Sequence, residues 1–169
     1  MGAETLLVFP NNGNIVLTAK QAASLYDKAQ VIVIPTQTLG EGYFALANVD
    51  ADQDPEQMAA ALTEAAASVT TGSISRAIRD TAEARTGEFI GFSGKDILCS
   101  CPSREEAVKA LAEKLEAKDA DICILFQGAD APAEEAEALR ASLEQSCPLT
   151  EVILLDGGQA VYDYILVLC

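Results

Sequence analysis

Hydrophobic positions recur along this chain with two different periods, and each change of period marks an element. Thr5 to Phe9 is a short apolar run that reads as a buried strand. Pro10-Asn11-Asn12-Gly13-Asn14 breaks it. From Ile15 to Tyr26 the period becomes helical, with Val16, Ala19, Ala23 and Tyr26 on one face. Val31 to Ile34 is a second strand, closed by Pro35. Two strands joined by a helix form a βαβ unit, which predicts parallel pairing and a right-handed crossover. Leu39 to Asn48 reads as a second helix. Asp54 and Pro55 supply an N-cap and a first-turn residue for an alanine-rich helix through about Ser68.

The pattern then changes. Ser73 to Ile78 alternates, and Phe89–Phe92 and Ile97–Cys101 are strand-sized runs set off by Gly87 and Ser93-Gly94. Antiparallel hairpins are expected here. Ser103 to Glu106 is an S-x-x-E capping box ahead of Val108, Leu111, Ala112 and Leu115 at helical spacing. Strand Ile122–Phe126, a helix from Pro132, strand Glu151–Leu155, the turn Gly157-Gly158-Gln159 and strand Tyr164–Leu168 complete the chain. The expected fold is α/β: an N-terminal parallel βαβ lobe over 1–70 and a C-terminal α+β lobe over 71–169 with antiparallel or mixed strands, together one domain.

Composition sharpens this picture. Half of the 169 residues are hydrophobic, enough for a sizeable core and too many for a disordered chain. The longest apolar runs are strand-sized, so no membrane insertion is expected. The N-terminus has no basic region and no signal-type apolar stretch, which predicts a cytoplasmic protein. Eleven Lys+Arg against 26 Asp+Glu give a net charge of −15, which disfavours nucleic acids and anionic lipid surfaces. Histidine is absent, which removes Ser-His-Asp triads, Cys-His pairs and His-based zinc sites. The five cysteines are odd in number. Cys99 and Cys101 lack C-x-x-C spacing, so reduced thiols acting as small apolar fillers are expected, and no metal site.

Four stretches are candidates for chemistry. Gly40-Glu41-Gly42-Tyr43-Phe44-Ala45 matches G-x-G-x-x-A, but Thr36 to Leu39 intervene after the strand and Glu41 would repel a pyrophosphate, so a flexible helix start is the better reading. Asn11, Asn12 and Asn14 follow the first strand, and Thr36, Gln37 and Thr38 follow the second. Parallel pairing would bring all six to one rim, as turn architecture or as a neutral hydrogen-bonding edge for a polar ligand or partner loop. Arg79-Asp80 places a basic residue in a structured segment. Gly157, Gly158 and Gln159 form a tight turn before Tyr162 and Tyr164, whose rings would share one strand face, as packing or as a contact patch. No nucleophile is paired with a base, so no catalytic residue is predicted. The other carboxylates read as solvated helix faces.

These stretches carry a resemblance. Leu7 to Ile15 with Val33 to Thr38 is similar to the "LPNNSNI … VPTKT" pattern of the C-terminal domain of the bacterial fatty acid kinase A subunit, historically called dihydroxyacetone kinase-like. Thr71 to Thr81, Glu88 to Phe92 with Gly94-Lys95, and Asp156 to Gln159 with Tyr162 and Tyr164 agree in the same order, nearly end to end. The resemblance implies a non-catalytic domain of a kinase (a transferase of lipid metabolism). Its subunit works with a DegV-type fatty-acid-binding protein to form acyl phosphate for phospholipid synthesis. Docking of that partner is the implied role, and a homodimer is a further association to consider. ATP and magnesium belong to a kinase domain absent here, so this chain is expected to be a fragment or excised domain that holds no cofactor and is inactive alone. Ala160 and Asp163 depart from the family's "GGQPLYPY", and Gly13 stands where serine is common. A small-molecule-binding α/β sensor is the alternative function.

Overall fold

The computed structural model describes residues 3–169, in two compact units: the first ends at Val69 and the second is Thr70–Cys169. In the first, β1 (Thr5–Val8) and β2 (Gln30–Val33) pair in parallel, Leu6 opposite Val31 and Val8 opposite Val33. The helices are α1 (Val16–Ser24), α2 (Leu39–Ala47) and α3 (Pro55–Ala67). Side chains alternate across the strands. Leu7, Phe9, Ile32 and Ile34 therefore fall on one face and pack with Ala45, Met58, Leu62 and Ala66. Asp54 caps α3 by accepting from the Glu56 and Gln57 amides, with Pro55 in the first turn.

The second unit is built on a six-stranded sheet of β3 (Thr70–Arg76), β4 (Phe89–Ser93), β5 (Asp96–Cys101), β6 (Ile122–Gln127), β7 (Glu151–Asp156) and β8 (Tyr164–Leu168). Their order is β5-β4-β3-β8-β6-β7. Every pairing is antiparallel except β6 with β7, which are joined through α5 (Ala133–Ser146). The sheet is mixed, as expected for this half. Its last strand enters the middle, between β3 and β6. That central place suits β8, whose five residues are all buried. Ser103 caps α4 (Arg104–Lys114) by accepting from the Glu106 amide at 3.2 Å. Val108 and Leu111 of α4 join Ile74, Leu125, Leu139 and Leu166 in the core.

The five cysteines are free thiols. Cys99 packs so closely over Gly91 that a Cβ there would lie 2.6 Å from its sulfur. Burial pushes the Cys123 thiol up to about 12, and the nearby Cys147 and Cys169 add to the shift. Among the described residues, no helix is long and apolar enough to cross a membrane.

Candidate functional site

Parallel pairing brings the Asn and Thr segments to one rim. Asn11 adopts a left-handed conformation, φ 54°. Its amide donates to the Thr36 hydroxyl at 3.0 Å, and that hydroxyl donates back to Asn11 Oδ1 at 2.9 Å. Thr36 is fully buried. Asn12 Oδ1 accepts from the Asn14 amide at 2.9 Å, an Asx turn. Thr38 caps α2, accepting from the Glu41 amide at 3.1 Å, while the Glu41 carboxylate accepts from the Gln37 amide at 2.6 Å. Thr38-Leu39-Gly40-Glu41 is therefore a T-x-x-E capping signature, which accounts for the carboxylate at this helix start. Gly42 is required because a Cβ there would fall 1.8 Å from Asn11 Oδ1. Asn11, Thr36 and Thr38 thus bond within the protein, and Asn12 and Asn14 remain exposed on the rim.

The second unit contains a half-open hollow of about 860 Å³, walled by the β3–β4 loop and the loop before β8. Ala84, Phe89, Ile90 and Ile97 give it an apolar lining, and Arg76, Arg79 and Arg104 also line it. The β3–β4 loop is fixed by its own carboxylates. Asp80 Oδ1 accepts from both the Thr86 hydroxyl and the Thr86 amide, at 2.6 and 2.8 Å. These bonds lower the Asp80 pKa, the hydroxyl contributing most. Glu88 accepts from the Arg85 amide at 2.8 Å and the Ser100 hydroxyl at 2.7 Å, and its pKa is lowered in that order of cause. Asp80 forms its ion pair with Arg85, at 3.9 Å. Arg79 has no ion pair among the described residues, so Arg79 and Asp80, adjacent in sequence, have different tasks.

The loop before β8 is pinned at both ends. The Gly157 and Gly158 amides donate to Gln127 O at 3.0 and 3.1 Å, and Gln159 O accepts from the Ala129 amide at 3.0 Å. The Asp163 amide donates to Ile74 O, and Asp163 O accepts from the Gly128 amide, both at 2.8 Å. Between these anchors Val161 is held at φ 76°. A β-branched residue there costs on the order of 1–3 kcal/mol, and such strain persists only where its surroundings impose it. Val161 is 76% exposed, so its own side chain gains nothing from burial.

The two tyrosines do not share a strand face. Tyr162 precedes β8, is 38% exposed and packs its ring against Phe92 at 6.0 Å. Tyr164 is fully buried and donates its hydroxyl to Glu135 Oε1 at 3.0 Å. Glu135 and Asp163 also correct the reading of the carboxylates as solvated faces. Arg104 Nε donates to Asp163 at 2.7 Å, Nη1 to Glu135 at 3.4 Å and Nη2 to Asp130 O at 3.3 Å. Burial alone would lower the Arg104 pKa, but the bond and charge of Asp163, aided by Glu135, raise it. No sequence signal marked this network, because its members lie far apart in the chain. Asp163, placed where the resembled family has proline, uses both an amide proton and a carboxylate that proline lacks.

Residues 1–168 match the family model of FakA-like C-terminal domains of fatty acid kinases. Protein YloV of Bacillus subtilis is 34% identical over 169 residues, covering 98% of this chain and 30% of that protein. A Staphylococcus epidermidis protein, SERP0792, is 33% identical over 162 residues, 94% of this chain and 29% of its own length. The chain thus spans about 30% of the relatives it matches. In fold it is similar to the Streptococcus pneumoniae Fatty Acid Kinase (Fak) B3 protein, solved loaded with linoleic acid: TM-score 0.73, 11% identity, covering 99% of this chain and 72% of that one. The DegV family protein Cg2579 of Corynebacterium glutamicum gives a TM-score of 0.71 at 16% identity, covering 98% and 75%. The mixed α/β architecture is that of DegV-type domains, and the chain belongs to the family of FakA-like C-terminal domains of fatty acid kinases.

Proposed function

We propose that this chain is the non-catalytic partner-docking part of a fatty acid kinase. It would hold a DegV-type fatty-acid-binding protein while the bound acyl carboxylate is phosphorylated elsewhere in the kinase, in a route that supplies phospholipid synthesis. The match over residues 1–168 carries this reading. ATP and magnesium would act in the parts of the kinase beyond the roughly 30% that this chain represents in its relatives. The partner class proposed is that of proteins this chain resembles in fold, among them the Fak B3 protein solved loaded with linoleic acid. The alternative, a small-molecule sensor at the asparagine rim, has less to work with, since Asn11, Thr36 and Thr38 already bond within the protein.

The test is direct. The purified chain, titrated by calorimetry with a DegV-family protein loaded with oleate, should bind it and should not hydrolyse or bind magnesium-ATP. Absence of binding by the folded chain would refute the docking role. Micromolar magnesium-ATP binding would refute the non-catalytic one.

A further inference from the structure

We propose that the hollow of the second unit is the seat of the docked partner, and that the element it receives is an apolar side chain flanked by carboxylates. This rests on the docking role proposed above and adds the surface and its chemistry. Three observations meet here. The chain carries −15 net charge, yet three of its five arginines line this one hollow, and a fourth, Arg85, lies on the loop that walls it. Arg104 is committed to Asp163 and Glu135. Arg76 and Arg79 form no ion pair among the described residues. Arg76 donates its Nε to Gly87 O at 3.3 Å, and its guanidinium lies over the Phe89 ring at 6.0 Å, with no carboxylate on it. Two guanidinium groups without carboxylate partners, in a chain so rich in carboxylates, select an acidic counterpart.

The second observation is apolar. Of the four large hydrophobic side chains exposed in this unit, Ile78 (89%) and Val161 (76%) line the hollow, and Tyr162 adjoins Val161, leaving only Leu149 elsewhere. Protruding aliphatic and aromatic groups beside arginines that lack carboxylate partners have the composition of a protein contact. Third, Val161 is held in a strained backbone conformation with its side chain in water. Strain with no return inside the protein is accounted for if the side chain is presented to a partner. An acidic surface with an apolar projection satisfies all three. Of the two aspartates in the lining, Asp163 is paired with Arg104, which leaves Asp130 against Arg76 and Arg79, so a basic partner would meet an excess of like charge.

Arg79→Glu, Ile78→Asp and Val161→Gly test the proposal, with Asn12→Ala as a variant on the other unit. Affinity for the oleate-loaded DegV-family protein is measured by calorimetry, and folding by thermal melting. Arg79→Glu and Ile78→Asp should each weaken binding more than tenfold at unchanged melting temperature. Val161→Gly should weaken it while leaving the fold as stable or more so. Asn12→Ala should bind like the parent. A partner Asp or Glu changed to Lys should restore binding to Arg79→Glu. If the parent chain binds and the three hollow variants bind equally well, the seat is elsewhere and this inference falls while the docking role stands. The same conclusion follows if only Asn12→Ala loses affinity. If the folded parent chain does not bind, both fall.

Discussion

Asp163 shows how much one residue can hold. Its carboxylate neutralises Arg104, whose side chain is 24% exposed, while its backbone joins the start of β8 to Ile74 and Gly128. Asp163→Ala should destabilise the protein by about 2–3 kcal/mol, because a part-buried guanidinium loses its shortest charged partner. Asp163→Asn, which keeps an acceptor of the same shape, should cost less. Urea unfolding monitored by circular dichroism measures both. A loss below about 1 kcal/mol for the alanine variant would show that Glu135 replaces the missing charge. Gly42 belongs to the same scale. It is explained by Asn11, thirty-one positions earlier, whose side chain occupies the space a Cβ would need.

At the level of elements, the β3–β4 loop is held in shape by two carboxylates together with the buried Ala77 and Ala84 and its own backbone hydrogen bonds. Both Asp80 and Glu88 have lowered pKa values. Their contribution is therefore complete above the ordinary carboxylate range and is lost as pH falls beneath that range, through their lower folded values. Amide exchange at Thr86 and Arg85 should accelerate across that window, ahead of exchange in β3 and β8. If all these amides lose protection together, the loop has no separate transition. Thiol chemistry also follows the elements. Cys123, in the interior strand β6 with its thiol pushed up to about 12, should resist iodoacetamide at pH 8 in the native protein. The partly exposed Cys99, Cys101 and Cys169 should react sooner, as mass spectrometry of timed samples would show.

For the whole molecule, charge dominates. With 26 acidic and eleven basic residues, self-repulsion opposes compaction at low ionic strength. Raising salt from about 20 to 200 mM shortens the Debye length and should raise the melting temperature. Relief of about 1 kcal/mol corresponds to about 2–4 °C in a protein of this size. A fall would mean that ion pairs such as Arg104–Asp163 outweigh the general repulsion.

Local pattern determined most of the elements. The β-branched run at Val31, the capping box at Ser103 and the Asp54-Pro55 helix start act within a few residues of themselves, so their spacing is readable in one dimension. The resemblance likewise lay in contiguous words, Pro10 to Asn14 and Thr36 to Thr38 among them. The mutual bonds of Asn11 and Thr36 were not readable, although parallel pairing placed the two segments together, because either residue could equally have faced a ligand. Only the tertiary structure put β8 between β3 and β6. That choice separates Tyr162 from Tyr164, buries the second, and turns Asp163 toward Arg104. It also brings the loop carrying Arg79 and Ile78 to the loop carrying Val161, about eighty residues later. Strand order is a cooperative property of the whole sheet, decided by which buried faces fit, and no window of the sequence contains it.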